Sequence, residues 1–244
     1  MDIDCDLVSR NEGWDSLAGS PGEPVVVAVR NDDLEDVLDR VPRRRRNDLV
    51  FVQNGALGPW LRERNLGSCT RGLLYYAVAK RGDAMETGVV PSVFTGKHAG
   101  TMAVWLRAMD VPANEVSWPE FLVEDGVKLG WLMAHGLLCE LYDCSVGEIA
   151  EYRRNELTSL CQEITAVWRA YAGVGLEIGW YVERLCEYSR SIPDYRASVK
   201  EVPWRNGWMV RTSRRYRVAT PLHDEMLVAA GHAAHGVPHE GPVH

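Results

Sequence analysis

Lys128 lies within Phe121 to Cys144, a stretch that is apolar on nearly every helical face. An ammonium group placed there loses hydration, and desolvation lowers its pKa towards neutrality. Such a lysine can donate a proton and steady negative charge growing on an oxygen. Glu201 can hold that lysine, or a substrate hydroxyl, in position. Asn54 sits in a Gln53-Asn54-Gly55 turn after an apolar run, and Arg10 and Arg30 follow similar runs, where they can meet phosphate charge. None of these is specific alone. A lysine near a helix start usually snorkels, an Asn-Gly pair is by default a turn, and a single glutamate is by default a solvated charge.

The elements that must position these residues alternate in the first half. Cys5 to Val8 reads as a short strand leading to Arg10. Pro24 to Arg30 is a continuous apolar run, expected of a strand buried on both faces. Asn31-Asp32-Asp33 offers an N-cap to a helix with apolar positions Leu34, Val37, Leu38 and Val41. Pro42 and the run Arg43 to Arg46, read as a solvated helix end, stop it. Leu49 to Val52 is the next buried strand and Pro59 to Glu63 a short helix. Gly72 to Ala79 and Val89 to Thr95 are two further strands. Such alternation predicts a parallel sheet, with ligands beyond the carboxyl ends of its strands, where Arg30 and Asn54 fall. After Trp118-Pro119 the pattern turns helical: Phe121 to Cys144, Gly147 to Gly173, Leu176 to Ser189, Asn206 to Arg217 and Thr220 to Gly231. The expected fold class is α/β followed by all-α.

Bulk properties exclude several functions. The formal charge of −7 argues against a nucleic-acid partner. No apolar run approaches the length of a bilayer span, and MDIDCDLVSR has neither the layout of a signal peptide nor the basic character of a transit peptide. These features predict an intracellular, most simply cytoplasmic, protein with no membrane partner. Six cysteines without a CxxC pair read as buried, reduced thiols. His232, His235 and His239 have loose metal-like spacing but no acidic or thiol partner in sequence, so no metal is expected. His135 reads as a satisfied core histidine.

Several segments, in order, resemble the ketopantoate reductase family. They are Val25 to Arg30 before an acidic helix, Gln53-Asn54-Gly55, Val127-Lys128-Leu129, Leu160 to Ile164, Glu201 five residues before Asn206-Gly207, and Val218 to His223. Their register from about Val25 to Val228 carries the resemblance, since no tripeptide is specific. The resemblance implies a Rossmann-like domain, here a partial one, and a helical domain like the C-terminal domain of 6-phosphogluconate dehydrogenase, with the active site in the cleft between them. It implies NADPH-dependent reduction of a ketone, in the family a 2-oxo acid. Lys128 and Glu201 would then be the catalytic pair. Asn54 would bind the carboxamide or ribose of the nicotinamide half, with Arg30 and Arg10 near the cofactor. Lys128, Glu201 and Asn54 would converge on one cleft.

Two departures qualify this. The 244 residues hold no GxGxxG loop; Gly19-Ser20-Pro21-Gly22 carries a proline and opens no helix. The chain reads as truncated at its start or divergent there, so NADP(H) is expected to bind weakly or not at all. The family also places asparagines one and two turns after the lysine, where this chain has Leu132 and Gly136. The expected domains are residues 1–117, lacking the first strand and glycine loop, 118–236, helical, and a disordered tail at 237–244. The expected function is an oxidoreductase divergent in its small-molecule substrate, with a possible homodimer through the helical domain. The alternative is a non-catalytic relative serving as a binding or dimerisation module.

Overall fold

A computed structural model describes residues 5–19, 21–77, 86–87 and 90–232. The chain divides into two compact units, 1–121 and 122–244.

The first unit is built on a five-stranded sheet. Its elements in chain order are β1 (Val25–Val27), α1 (Leu34–Arg40), β2 (Leu49–Phe51), α2 (Gly58–Glu63), β3 (Thr70–Leu73), β4 (Tyr76–Ala77), β5 (Glu86–Thr87), β6 (Ser92–Thr95), α3 (Ala99–Ala108) and β7 (Ala113–Glu115). The sheet order is β1-β2-β3-β6-β7, and β4 and β5 form a separate antiparallel pair. Neighbouring strands are parallel except β3 with β6. The antiparallel pair is a departure from the all-parallel expectation. Phe94 is fully buried, and α3 packs Met102, Ala103 and Leu106 into the same core.

Four expectations change here. Cys5 to Val8 forms no strand among the described residues, and Leu7 is largely exposed. The Pro24 to Arg30 run shortens to three residues, and Val26 is 42% exposed because β1 is an edge of the sheet. Asn31 to Asp33 form a 3-10 turn in which no side chain caps α1. The arginine run is not simply solvated. It winds into a 3-10 helix, Arg43–Asp48, that buries Arg45 against Asp48 (Nε to Oδ2, 2.9 Å). Lys97 reaches the other oxygen at 2.6 Å, and the Gly22 N–H donates to Oδ2. Burial alone would raise the Asp48 pKa, but hydrogen bonds from Lys97, Gly22 and Arg45 outweigh it and hold the carboxyl at about 2.

The second half is helical among the described residues: α4 (Trp118–Tyr142), α5 (Val146–Tyr152), α6 (Arg154–Ala172), α7 (Ile178–Ser191), α8 (Asn206–Tyr216) and α9 (Pro221–Ala229). The segment expected as one helix from Gly147 to Gly173 breaks at Arg153, whose φ of −130° is not helical. A capping box between Ser145 and Glu148 starts α5. Leu129, Met133, Leu137 and Leu138 of α4 are all within 2% of full burial, which explains why the helix is apolar all round. A Cβ at Gly130 would lie 1.5 Å from the Tyr181 hydroxyl, so the glycine lets α7 approach α4, where Tyr181 Oη donates to the Gly126 carbonyl at 3.0 Å.

Five of the six cysteines are buried; Cys5 is exposed, against expectation. Residues 237–244, His235, His239, Val78, Ala79 and Val89 lie outside the described residues. No described helix is long and apolar enough to cross a membrane.

Candidate active site

In the first unit, the ends of β1 and β2 are braced by side chains instead of further strand pairing. The Gln53 amide donates from Nε2 to the carbonyls of Val27 (2.7 Å) and Val29 (3.1 Å). Asn31 donates from Nδ2 to the carbonyl of Asn54 at 2.8 Å. Carbonyls only accept, so both amide nitrogens must face the backbone and their oxygens must point elsewhere. Asn31 Oδ1, Gln53 Oε1 and Asn54 Oδ1 are buried without a hydrogen-bond partner among the described residues. Orphaned acceptors are costly unless a donor completes them. Three of them beyond the carboxyl ends of adjacent parallel strands fit a group rich in N–H or O–H donors, as the carboxamide and ribose of a nicotinamide nucleotide are.

Arg10 and Arg30 stand around the same 3-10 turn. Arg10 pairs with Asp33 at 3.3 Å and Arg30 with Asp32 at 3.9 Å, and both side chains are 77% exposed. Exposed guanidiniums are open to an anion but contribute little to stability. Sequence reasoning quoted Gln53 only within a motif and gave Asn31 a capping role. Their bonds cross 23 to 26 residues, which local pattern does not show.

In the second unit, Lys128 lies well inside α4 and not at its start. Burial lowers its pKa, the charge of Asp125 opposes the shift and that of Arg205 adds to it, and the result is about 7. Asp125, one helical turn earlier, is 5% exposed. Arg205 is 7% exposed and donates from Nη2 to Glu201 Oε2. Arg205, which holds Glu201, thus lies close enough to Lys128 for its charge to act on the lysine. Glu201 takes a left-handed backbone conformation (φ 48°, ψ 47°), which is strained for a residue with a Cβ. The arrangement can deliver a proton from a lysine poised near neutrality between the charges of Asp125 and Arg205. Arg205 and Asp125 were not foreseen; the i, i+4 spacing of Glu201 and Arg205 was the available signal.

At the position of the second missing asparagine, a Cβ on Gly136 would lie 3.0 Å from the Ser198 carbonyl oxygen. The chain at Ser198 to Val199 covers this turn of α4, so no larger side chain fits there without movement.

His135 lies in the same helix, fully buried. Its Nδ1 donates to the Trp131 carbonyl (3.2 Å), and Nε2 lies 2.9 Å from Ser189 Oγ, which also accepts from Trp131 Nε1. Burial pushes its pKa down to about 4, against a smaller opposing effect of the Trp131 carbonyl. The unfolded chain therefore takes up this proton near pH 6.5, before the folded protein does. Stability is complete above about pH 6.5 and falls as the pH drops towards 4, by about 3 kcal/mol from this group. Urea midpoints between pH 7 and 4 are expected to show that loss, and His135→Gln should flatten the dependence. An unchanged slope in the variant would count against it. His232, expected to lack an acidic partner, instead meets Glu140 Oε2 at 2.6 Å. No group of potential metal ligands occurs among the described residues.

No protein-family model matches the chain, and no curated protein matches it. Solved structures do. A ternary structure of D-mandelate dehydrogenase with NADH and anilino(oxo)acetate is 14% identical, over 87% of this chain and 76% of that one, with a TM-score of 0.69. A 2-dehydropantoate 2-reductase from Geobacter metallireducens GS-15 is 16% identical over 88% and 78%, with a TM-score of 0.69. A dimeric ketopantoate reductase from Staphylococcus aureus is 16% identical over 91% and 81%, with a TM-score of 0.67. The class is settled at the level of the fold: a parallel-dominated, Rossmann-like sheet followed by helices, as in the ketopantoate reductases. The resemblance read from the sequence is to the same proteins.

Proposed function

We propose that this chain is a ketopantoate reductase-like oxidoreductase that uses NADPH to reduce a 2-oxo acid or related ketone. The observation that carries it is Lys128, half-buried in α4 with its pKa brought to about 7, within reach of the charge of Arg205, which in turn holds Glu201. In this scheme the cofactor supplies the hydride. Lys128 donates the proton to the carbonyl oxygen, and Glu201 orients the lysine or the nascent hydroxyl. Asn54 takes the nicotinamide half, braced by Asn31 and Gln53, and Arg30 and Arg10 address phosphate charge. The neighbours found with NADH and anilino(oxo)acetate, and the reductases of 2-dehydropantoate, support a substrate carrying a carbonyl next to a carboxylate. A dimer is in keeping with the Staphylococcus aureus protein.

Leu132 and Gly136 divert the substrate from the family's usual one, because Gly136 lies beneath the Ser198 backbone and has no amide to offer. The same observation favours, as a second reading, a relative that keeps the helical unit as a binding or dimerisation module without catalysis.

The test is NADPH oxidation, followed at 340 nm with millimolar NADPH, against a panel of 2-oxo acids with varied side chains. Turnover of at least one acid above the no-enzyme rate is expected. No turnover across the panel, with a folded protein, favours the module. High cofactor concentration is needed because the 244 residues hold no glycine loop for the pyrophosphate. Calorimetric titration is expected to give a dissociation constant for NADPH well above the low-micromolar range, and a low-micromolar value would overturn that expectation.

A further inference from the structure

We propose that the amino-terminal end of α8, together with the Arg205 guanidinium, is a carboxylate-binding subsite that sets the enzyme's preference for an acid over a neutral ketone. The proposal rests on the reductase reading for its substrate but not for its geometry.

The first observation is a helix start without a cap. The first N–H groups of a helix have no partner within it, and most helices offer them a Ser, Thr, Asp or Asn side chain. At the N-cap of α8 stands Arg205, which has no acceptor, and no side chain caps this end. The first turn is buried: Asn206 is inaccessible and Trp208 only 5% exposed, so water has little access. An uncapped, buried helix start presents N–H groups and the positive end of the helix dipole, which suit an anion.

The second observation is independent. Arg205 itself is 93% buried by its 7% exposure, and its Nε–H has no hydrogen-bond partner among the described residues. Its Nη2 donates to Glu201. The open Nε–H of this guanidinium can donate a charge-assisted hydrogen bond to a carboxylate oxygen, beside the bonds that the first N–H groups of α8 offer. Lys128 adds a second positive charge nearby, close enough to feel Arg205. Two acids oppose an incoming anion, Glu201 on the arginine and Asp125 a turn before the lysine. Arg205, a Lys128 that is partly protonated near neutrality and the open helix end face these two acids, and it is the directed N–H groups of Arg205 and α8 that favour a carboxylate there. A 2-oxo acid would set its carboxylate on Arg205 and α8 and its ketone oxygen towards Lys128. The asparagines missing at Leu132 and Gly136 are then replaced in kind by one arginine.

The experiment is calorimetric titration of the whole chain, without cofactor, using oxamate and its neutral counterpart oxamide as probes. Oxamate should bind at least about 10-fold to 100-fold more tightly, the range of one or two hydrogen bonds to a charged group. Arg205→Met should remove that preference and leave oxamide unaffected. Arg205→Lys, which keeps the charge without the Nε–H, should retain only part of it. Glu201→Gln removes a competing negative charge and should tighten oxamate several-fold, a gain that loss of structure cannot produce. Equal binding of the two probes to the wild type, or unchanged oxamate binding in Arg205→Met with weakened binding in Glu201→Gln, overturns the subsite. Absence of NADPH turnover alongside the predicted oxamate pattern would reject the reductase reading while upholding the subsite.

Discussion

Replacing Lys128 by methionine is expected to lower the rate of NADPH-dependent ketone reduction by about 100-fold to 10,000-fold, the usual worth of a positioned general acid. The loss should fall on kcat more than on KM, because the proton is needed only as charge develops on the substrate oxygen. In the wild type the acid form is the active one, so kcat should decline as the pH rises through about 7, the value to which burial brings this lysine. The variant should lose that limb. Its thermal midpoint should fall, since Asp125, buried one turn away, loses a cationic neighbour, so the kinetic loss is read at a temperature where the variant is folded. Full activity in Lys128→Met would remove the lysine from the reaction whatever the fold.

Asp48→Ala should produce the largest loss of stability in the first unit, about 3–5 kcal/mol, the range for breaking a buried ion pair from one side. The reason is asymmetry among the partners. Lys97 is half exposed and can return to water, whereas Arg45 is nearly inaccessible and would be left as a buried charge without its acid. Urea denaturation should show the shift in midpoint. A second variant, Asp48→Leu combined with Arg45→Met, removes both charges and should recover much of the loss. A change of less than about 1 kcal/mol in Asp48→Ala would mean that water reaches Arg45 and that the pair is worth no more than a surface one. In the wild type, the contribution of Asp48 is present above about pH 4 and is lost as the pH falls towards its folded value of about 2.

The parts of the fold visible in the sequence are those governed by local pattern. Leu49-Val50-Phe51 is fully buried and reads as such, and Pro221 opens α9 from a first-turn position. Phe121 to Cys144 announces α4 because most of the helix from Asp125 to Cys139 is buried. What escaped was set by distant partners. The segment Ala99–Ala108 is a helix on the sheet, but its apolar and small residues show weak periodicity. The edge position of β1 exposes Val26, although the run around it reads as buried on both sides. Arg45 sits in a run of four arginines that looks solvated, and only Asp48 three residues on explains its burial.

The site divides in the same way. Lys128 was legible because desolvation follows from an apolar helix. Asn54 was legible as the end of a parallel strand, but its brace from Asn31 was not, since a turn residue two elements earlier supplies it. Glu201 was picked out by its distance from Asn206-Gly207, whereas its strained backbone and its hold on Arg205 appear only in three dimensions.

The central claim is that burial beside Arg205 and Asp125 poises Lys128 as an acid near neutrality, and it can be measured on one atom. The chain has four lysines, Lys80, Lys97, Lys128 and Lys200, so the side-chain carbons of 13C-labelled lysine can be followed by NMR across pH 5 to 11 and Lys128 assigned with Lys128→Met. One resonance, belonging to Lys128, should titrate near 7 and move upward in Arg205→Met, where the neighbouring positive charge is gone. Titration of Lys128 near the ordinary lysine value of about 10.4, unmoved by Arg205→Met, would contradict the account.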